Sequence, residues 1–234
     1  MHWLLGTPSD SDFAHIKNTP LSALVRDRLL SQILSGTLMP GQALREIDLA
    51  ADMQVSRVPV REALKELENI GLVVARKHVG VFVRELTDTE VEDLYALRAL
   101  LDTYGAKAAF ALPADARRAL GNKLRLCTER MDEYIAAENG TAYYQENLRF
   151  HWLFIENAGN SEVAKTYKEV IQKLHLHRLR NLASTEQRKV SNAEHRQIVR
   201  ALDKPAADMG GDGFADLLSH HVLHSYRRLT GQSD

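Results

Sequence analysis

The stretch LREIDLAADMQVSRVPVREALKELENIG (residues 44–71) decides the reading of the first third of the chain. Leu49, Ala50 and Met53 give a short first helix a small apolar face. Gln54-Val55-Ser56 forms a tight turn, with Val55 as an apolar plug and Ser56 as a natural N-cap. A second helix starts at Arg57, with Pro59 in its first turn, where a missing N–H costs little. Val60, Ala63, Leu64 and Leu67 recur at helical spacing and form the inner face. Arg57, Arg61 and Lys65 follow at i, i+4 and i+8, so they share an outer basic stripe. That is the layout of a helix-turn-helix whose second helix enters a DNA major groove.

The flanks extend this reading. Gly71 ends the second helix as a glycine beyond the C-terminus does. Leu72-Val73-Val74-Ala75-Arg76 and Val81-Phe82-Val83-Arg84 are β-prone, with the basic turn Lys77-His78-Val79-Gly80 between them. A helix-turn-helix followed by a basic hairpin is a winged helix. Upstream, Thr19-Pro20 opens a helix through about Ser35, and residues 1–18 read as a flexible arm.

Charge is distributed accordingly. The 234 residues carry a formal net charge of −1 and are 44% hydrophobic and 26% charged, ordinary for a chain with a sizeable core. Residues 57–84 hold six Lys+Arg against three Asp+Glu, a local +3, whereas residues 85–234 hold 20 against 22, a net −2. Basic charge gathers where a nucleic-acid contact needs it. Cys127 is the only cysteine, so no intrachain disulfide forms, which fits a reducing cytoplasm. MHWLLG is too short and uncharged for a signal peptide, and no run of about 18 apolar residues spans a membrane.

Beyond the wing, Thr87-x-x-Glu90 forms a capping box that opens a helix over about 88–111. Breaks at Leu112-Pro113, Asn139-Gly140 and Gly159-Asn160 separate further helices over about 114–137, 141–157 and 161–183. A polar stretch around Ser184–Lys189 precedes a helix to about 203. KPAADMGGDG (204–213) reads as the longest loop, and a last helix runs to about Leu229. The expected fold is mainly α: an arm (1–18), a winged helix-turn-helix (19–84) and an all-α bundle of about six helices (85–234). His151, His195 and the pair His220-His221 lie on different bundle helices, and histidines so placed can converge on a metal.

The sequence VSRVPVREAL (55–64), followed by LENIGLV (67–73), resembles the signature of the GntR superfamily of bacterial transcription regulators. Leu38-Met39-Pro40-Gly41, Leu44, Glu46 and Leu49-Ala50 fit the same pattern, and the likeness covers about residues 21–84. The resemblance implies that Arg57 and Arg61 read base edges or phosphates, that Arg45 touches the backbone, and that His78 and Gly80 form the wing tip. Ser56, Pro59 and Lys65 complete the expected DNA-facing set. Where some members carry an arginine in the first motif helix, this chain has Ile47.

LRALLD (97–102), NLRFHWLFIENAGN (147–160) and AEHRQIVRAL (193–202) resemble the FCD ligand-sensing domain of the FadR-like branch. In many members an aspartate and three histidines hold a divalent metal. The resemblance places Asn147 at the aspartate position, followed by His151, His195 and His221; His221 fits better than His220 because an apolar residue, Val222, follows it. Asn147 removes one negative charge, leaving neutral imidazoles suited to Zn²⁺ or Ni²⁺. Arg98 and Arg178 are the candidate clamps for a carboxylate effector.

The function so implied is that of a ligand-responsive repressor. It would act as a homodimer in the bacterial cytoplasm, bind an inverted-repeat DNA operator and respond to a small organic acid. A metal-dependent hydrolase is the rival. The chain lacks HExxH, and Glu194, beside His195, is expected to point to another side of its helix. A third reading makes the helical half a dimerisation bundle only.

Overall fold

The computed structural model describes residues 19–180, 183–203 and 206–231; the arm expected over residues 1–18 lies outside them. Its contacts divide the chain into two units. One is Met1–Asp88 together with Ile171–Arg180, and the other is Thr89–Val170 with Asn181–Asp234.

The first unit is a winged helix-turn-helix. Helix α1 (Leu21–Leu34) follows Pro20 and buries Val25, Leu29, Ile33 and Leu34. Helix α2 (Glu46–Met53) ends at Gln54, whose left-handed φ of 56° makes the sharp turn. Helix α3 (Arg57–Ile70) then buries Pro59, Val60, Ala63, Leu64 and Leu67, its apolar positions at helical spacing. Gly71 closes it at φ 84°, donating its N–H to the Leu67 and Glu68 carbonyls. A Cβ there would lie 2.9 Å from Lys173 Cε.

The wing is β2 (Val73–Arg76) and β3 (Gly80–Val83), paired antiparallel from Val73↔Val83 to Arg76↔Gly80. His78, at φ 63°, and Gly80, at φ 131°, turn its tip. A third strand, β1 (Ala43–Leu44), pairs with β3 and completes the order β1-β3-β2. It was not expected, because two residues carry no periodicity. Leu176, from residues 171–180, joins this unit's core, and His175 Nε2 donates to the Leu34 carbonyl at 2.8 Å. That carbonyl belongs to the last residue of α1 and has no partner within the helix.

The second unit is helical. Helix α4 (Asp88–Phe110) starts directly after Thr87, and α5 (Ala114–Ala136) and α6 (Gly140–Asn157) follow the expected breaks. Next come α7 (Ser161–Arg180), of which residues 171–180 are grouped with the first unit, then α8 (Thr185–Leu202) and α9 (Ala206–Thr230). The core gathers Phe110, Leu124, Met131, Phe150, Phe154, Ile198, Leu202 and Phe214. Cys127 is buried in it, and burial pushes its thiol up to about 12. Among the described residues no helix is long and apolar enough to cross a membrane.

Two expectations are corrected. The polar stretch Ser184–Lys189 is the first turn of α8, not a lead into it. Ser184 Oγ accepts from Gln187 N (3.2 Å) and Gln187 Oε1 accepts from Ser184 N (2.8 Å), so the polar side chains cap the helix. The supposed loop 204–213 is largely helical from Ala206, with a break only at Gly210 (φ 70°, ψ 168°).

Candidate functional site

The recognition face stands on α2, α3 and the wing. Arg57, Arg61 and Lys65 are all exposed, since the inward positions of α3 are taken by its apolar residues. Ser56 is exposed at the N-cap without a side-chain capping bond, and Arg45 is exposed at the N-cap of α2. His78 and Gly80 are exposed at the wing tip. Pro59, expected to face DNA, is buried: at the third helical position it points inward with Val60 and shapes the first turn. An open groove of about 730 Å³ runs between these elements, lined among others by Arg45, Ile47, Arg57, Arg61 and Gly80.

Glu46 also lines this groove, and the sequence reading gave it no role there. Its carboxylate accepts from Arg61 Nε (3.0 Å) and Nη2 (2.9 Å) and from Arg57 Nη2 (3.3 Å). The hydrogen bond from Arg61, with that from Arg57, holds the carboxyl below its usual value. An acid 11 and 15 positions from its arginines lies outside any helical spacing rule, so the fold alone brings them together.

The second site is a buried polar cluster within the helical unit. His151 on α6, His195 on α8 and His221 on α9 bring one ligand atom each within 4.8 Å of one another. Their ring centroids lie 4.3–5.5 Å apart. His220 lies on the exposed side of α9. Burial lowers all three proton affinities, that of His151 to about 4, so the rings are neutral at neutral pH. Neutral imidazole is the form that binds a metal.

Two carboxylates back these rings. His151 Nδ1 donates to Asp102 Oδ1 at 3.1 Å, and His221 Nδ1 donates to Glu194 Oε2 at 2.6 Å. Each bond leaves Nε2 as the nitrogen with a free lone pair. Both ring nitrogens of His195 are buried without a hydrogen-bond partner among the described residues. A buried polar atom left unmatched needs an explanation, and a metal supplies one. Carboxylates behind metal-binding histidines fix their tautomer and orientation.

Glu194 therefore faces the cluster, against expectation, though it lies behind His221. It also takes a two-pronged contact from Arg228, Nη1–Oε1 2.6 Å and Nη2–Oε2 2.8 Å. Burial would raise its carboxyl, but His221 and Arg228 hold it at about 2. Asp102 was not singled out as a site residue, although Arg98, four residues before it on α4, was. The two pair at 3.3 Å, both buried, and Tyr167 donates to Asp102 Oδ1 at 3.4 Å. An anion reaching Arg98 competes with Asp102. Asn147 is half-buried on α6 one turn before His151. Arg178 belongs to the segment grouped with the first unit.

Comparison with known proteins agrees with this two-part architecture. Residues 21–83 match the family described as bacterial regulatory proteins, gntR family, and residues 93–222 match the FCD domain. A probable D-xylose utilization operon transcriptional repressor of Paenarthrobacter nicotinovorans is 26% identical over 226 residues, 96% of this chain and 95% of that protein. An HTH-type transcriptional regulator in an unstable DNA locus of Streptomyces ambofaciens is 32% identical over 75% of this chain and 72% of its own. A solved structure assigned to GntR, from Rhodococcus sp. RHA1, superposes with a TM-score of 0.74 at 22% identity, covering 92% of this chain and all of that one. That likeness bears on the fold.

Proposed function

The chain belongs to the gntR family of bacterial regulatory proteins and carries an FCD domain, a DNA-binding transcription regulator rather than an enzyme; from that premise we propose that it is a repressor released by a small organic acid. The exposed stripe Arg57, Arg61, Lys65 carries the DNA half of this reading. Side chains at the N-terminal end of a recognition helix reach base edges, while Arg45 and the wing tip hold the backbone. Two subunits, related by a two-fold axis, present two such helices to successive major grooves, so the operator is a short inverted repeat. The name of the Paenarthrobacter relative supports repression. A bacterial cytoplasm suits a reduced, buried Cys127 and a DNA target.

The histidine cluster carries the sensing half. His151, His195 and His221 hold a divalent ion, Zn²⁺ or Ni²⁺, with Asn147 as a candidate neutral fourth donor in place of a carboxylate. This donor set of imidazoles suits those metals over Mg²⁺ or Ca²⁺. Such an ion supplies open coordination positions for a carboxylate. Asp102 and Glu194 keep the imidazoles oriented, and Arg98 provides positive charge beside them. Arg178 is a second anion clamp by family resemblance alone. Effector must bind the DNA-competent and DNA-incompetent states unequally, and coupling of about 1–3 kcal/mol is typical.

Binding to a duplex enriched by the chain from a random-sequence library tests the DNA half. Replacing Arg57 or Arg61 by Ala costs about 1–3 kcal/mol where the contact is bidentate to a base. Unchanged affinity in both variants contradicts readout by α3.

A further inference from the structure

Glu46 poses a physical problem. A carboxylate in the groove beside the recognition helix repels phosphates and offsets one of the two positive charges of the arginines expected to meet DNA. Its place in the first turn of α2 suits the helix dipole, but that does not account for the arginines laid upon it. Its side chain is 24% exposed, against 55% for Arg57 and 53% for Arg61, so the arginines close over the acid from the solvent side.

The geometry of the contact resolves the problem. A guanidinium offers two bidentate edges, a side-on edge (Nε and Nη2) and an end-on edge (Nη1 and Nη2). Arg61 gives Glu46 its side-on edge, Nε to Oε1 and Nη2 to Oε2. The end-on edge keeps its other N–H groups, with no further protein partner among the described residues, and it matches the N7 and O6 acceptors of guanine. A phosphate needs only positive charge. A base needs a fork held at a fixed angle, and a free arginine at the surface has many rotamers to lose. Arg57 makes a single, longer contact to Oε2 at 3.3 Å, so the fork that Glu46 fixes at two points is that of Arg61 alone.

We propose that Glu46 is a positioning residue that holds Arg61 with its end-on edge toward guanine, and that it discriminates against DNA lacking that base by repelling phosphates elsewhere. This rests on α3 being the recognition helix. In this role the acid lowers non-specific affinity and raises specific affinity, so its effect shows in the ratio of the two.

The test uses the full chain and 30-base-pair duplexes enriched by the wild type from a random library. Binding is measured to the enriched duplex, to the same duplex with single guanines replaced by 7-deazaguanine, and to a scrambled duplex. The wild type loses about tenfold at one guanine per half-site on removal of N7. In Glu46→Ala that penalty shrinks to about twofold or less, binding to the scrambled duplex tightens, and the specific-to-scrambled ratio falls about tenfold. Glu46→Gln, which keeps one acceptor oxygen and the side-chain shape, falls between. Adding Glu46→Ala to Arg61→Ala causes no further loss of specificity, since the acid acts through that arginine. Thermal melting confirms that the variants fold.

A Glu46→Ala chain with an undiminished 7-deazaguanine penalty and an unchanged ratio overturns the inference and makes Glu46 a plain counter-charge. Loss of specificity beyond that of Arg61→Ala overturns it too. If the wild type enriches no sequence, the recognition-helix assignment fails first, and the two failures are told apart.

Discussion

Asp102 shows how much a single buried side chain can hold. It bonds His151, Arg98 and Tyr167 at once, fully removed from solvent. Asp102→Ala leaves the Arg98 guanidinium buried without its carboxylate, which costs roughly 3–5 kcal/mol of stability in urea unfolding. It also lowers affinity for Zn²⁺ by about 10–100-fold in chelator competition, because His151 loses the bond that orients its ring. An Asp102→Ala chain as stable as the wild type and binding Zn²⁺ equally well refutes this role. That these three histidines come together was legible from residue type and family spacing. Asp102 and Glu194 were not, because their bonds join residues 49 and 27 positions apart and no helical rule links such positions. Glu46 escaped for the same reason. Pro59 was misplaced because a first-turn proline signals a helix start without saying which way the ring faces.

Among the elements, helices with periodic apolar faces were read correctly and polar starts were not. Helix α3 has a clean inner face, so its ends fell within a residue of expectation. Helix α8 begins in STEQRK, where polarity reads as loop unless Ser184 and Gln187 are seen as one reciprocal cap. Ser184→Ala removes the hydroxyl acceptor and costs about 1 kcal/mol, seen as a lower melting temperature. Ser184→Asp, which keeps a capping acceptor, retains most of the stability. Equal melting for the wild type and Ser184→Ala contradicts a working cap. In residues 204–213 the glycines drew the reading toward loop, yet among the described residues of that stretch, 206–213, only Gly210 leaves helical geometry. The strand β1 exists because β3 offers it an edge, a tertiary cause that two residues cannot announce.

At the scale of the whole chain, one part carries a basic face and the other a buried polar cluster; the basic face was visible in the charge counts before any coordinates, the burial of the cluster was not. What the linear reading missed is that Ile171–Arg180 groups with the N-terminal unit. Leu176 is an apolar helix residue whichever core it enters, so sequence does not assign it. A regulator of this design needs the two functions coupled, and in the proposed function that coupling starts from a metal held by the histidine cluster. The direct measurement is metal content of the untagged full chain by mass spectrometry, beside His195→Ala. The expected result is close to one Zn or Ni per chain in the wild type and loss of it in the variant, since the ring nitrogens of His195 have no hydrogen-bond partner among the described residues. A wild-type chain that takes up neither metal even when incubated with excess Zn²⁺ or Ni²⁺, or a His195→Ala chain that keeps a full complement, contradicts it.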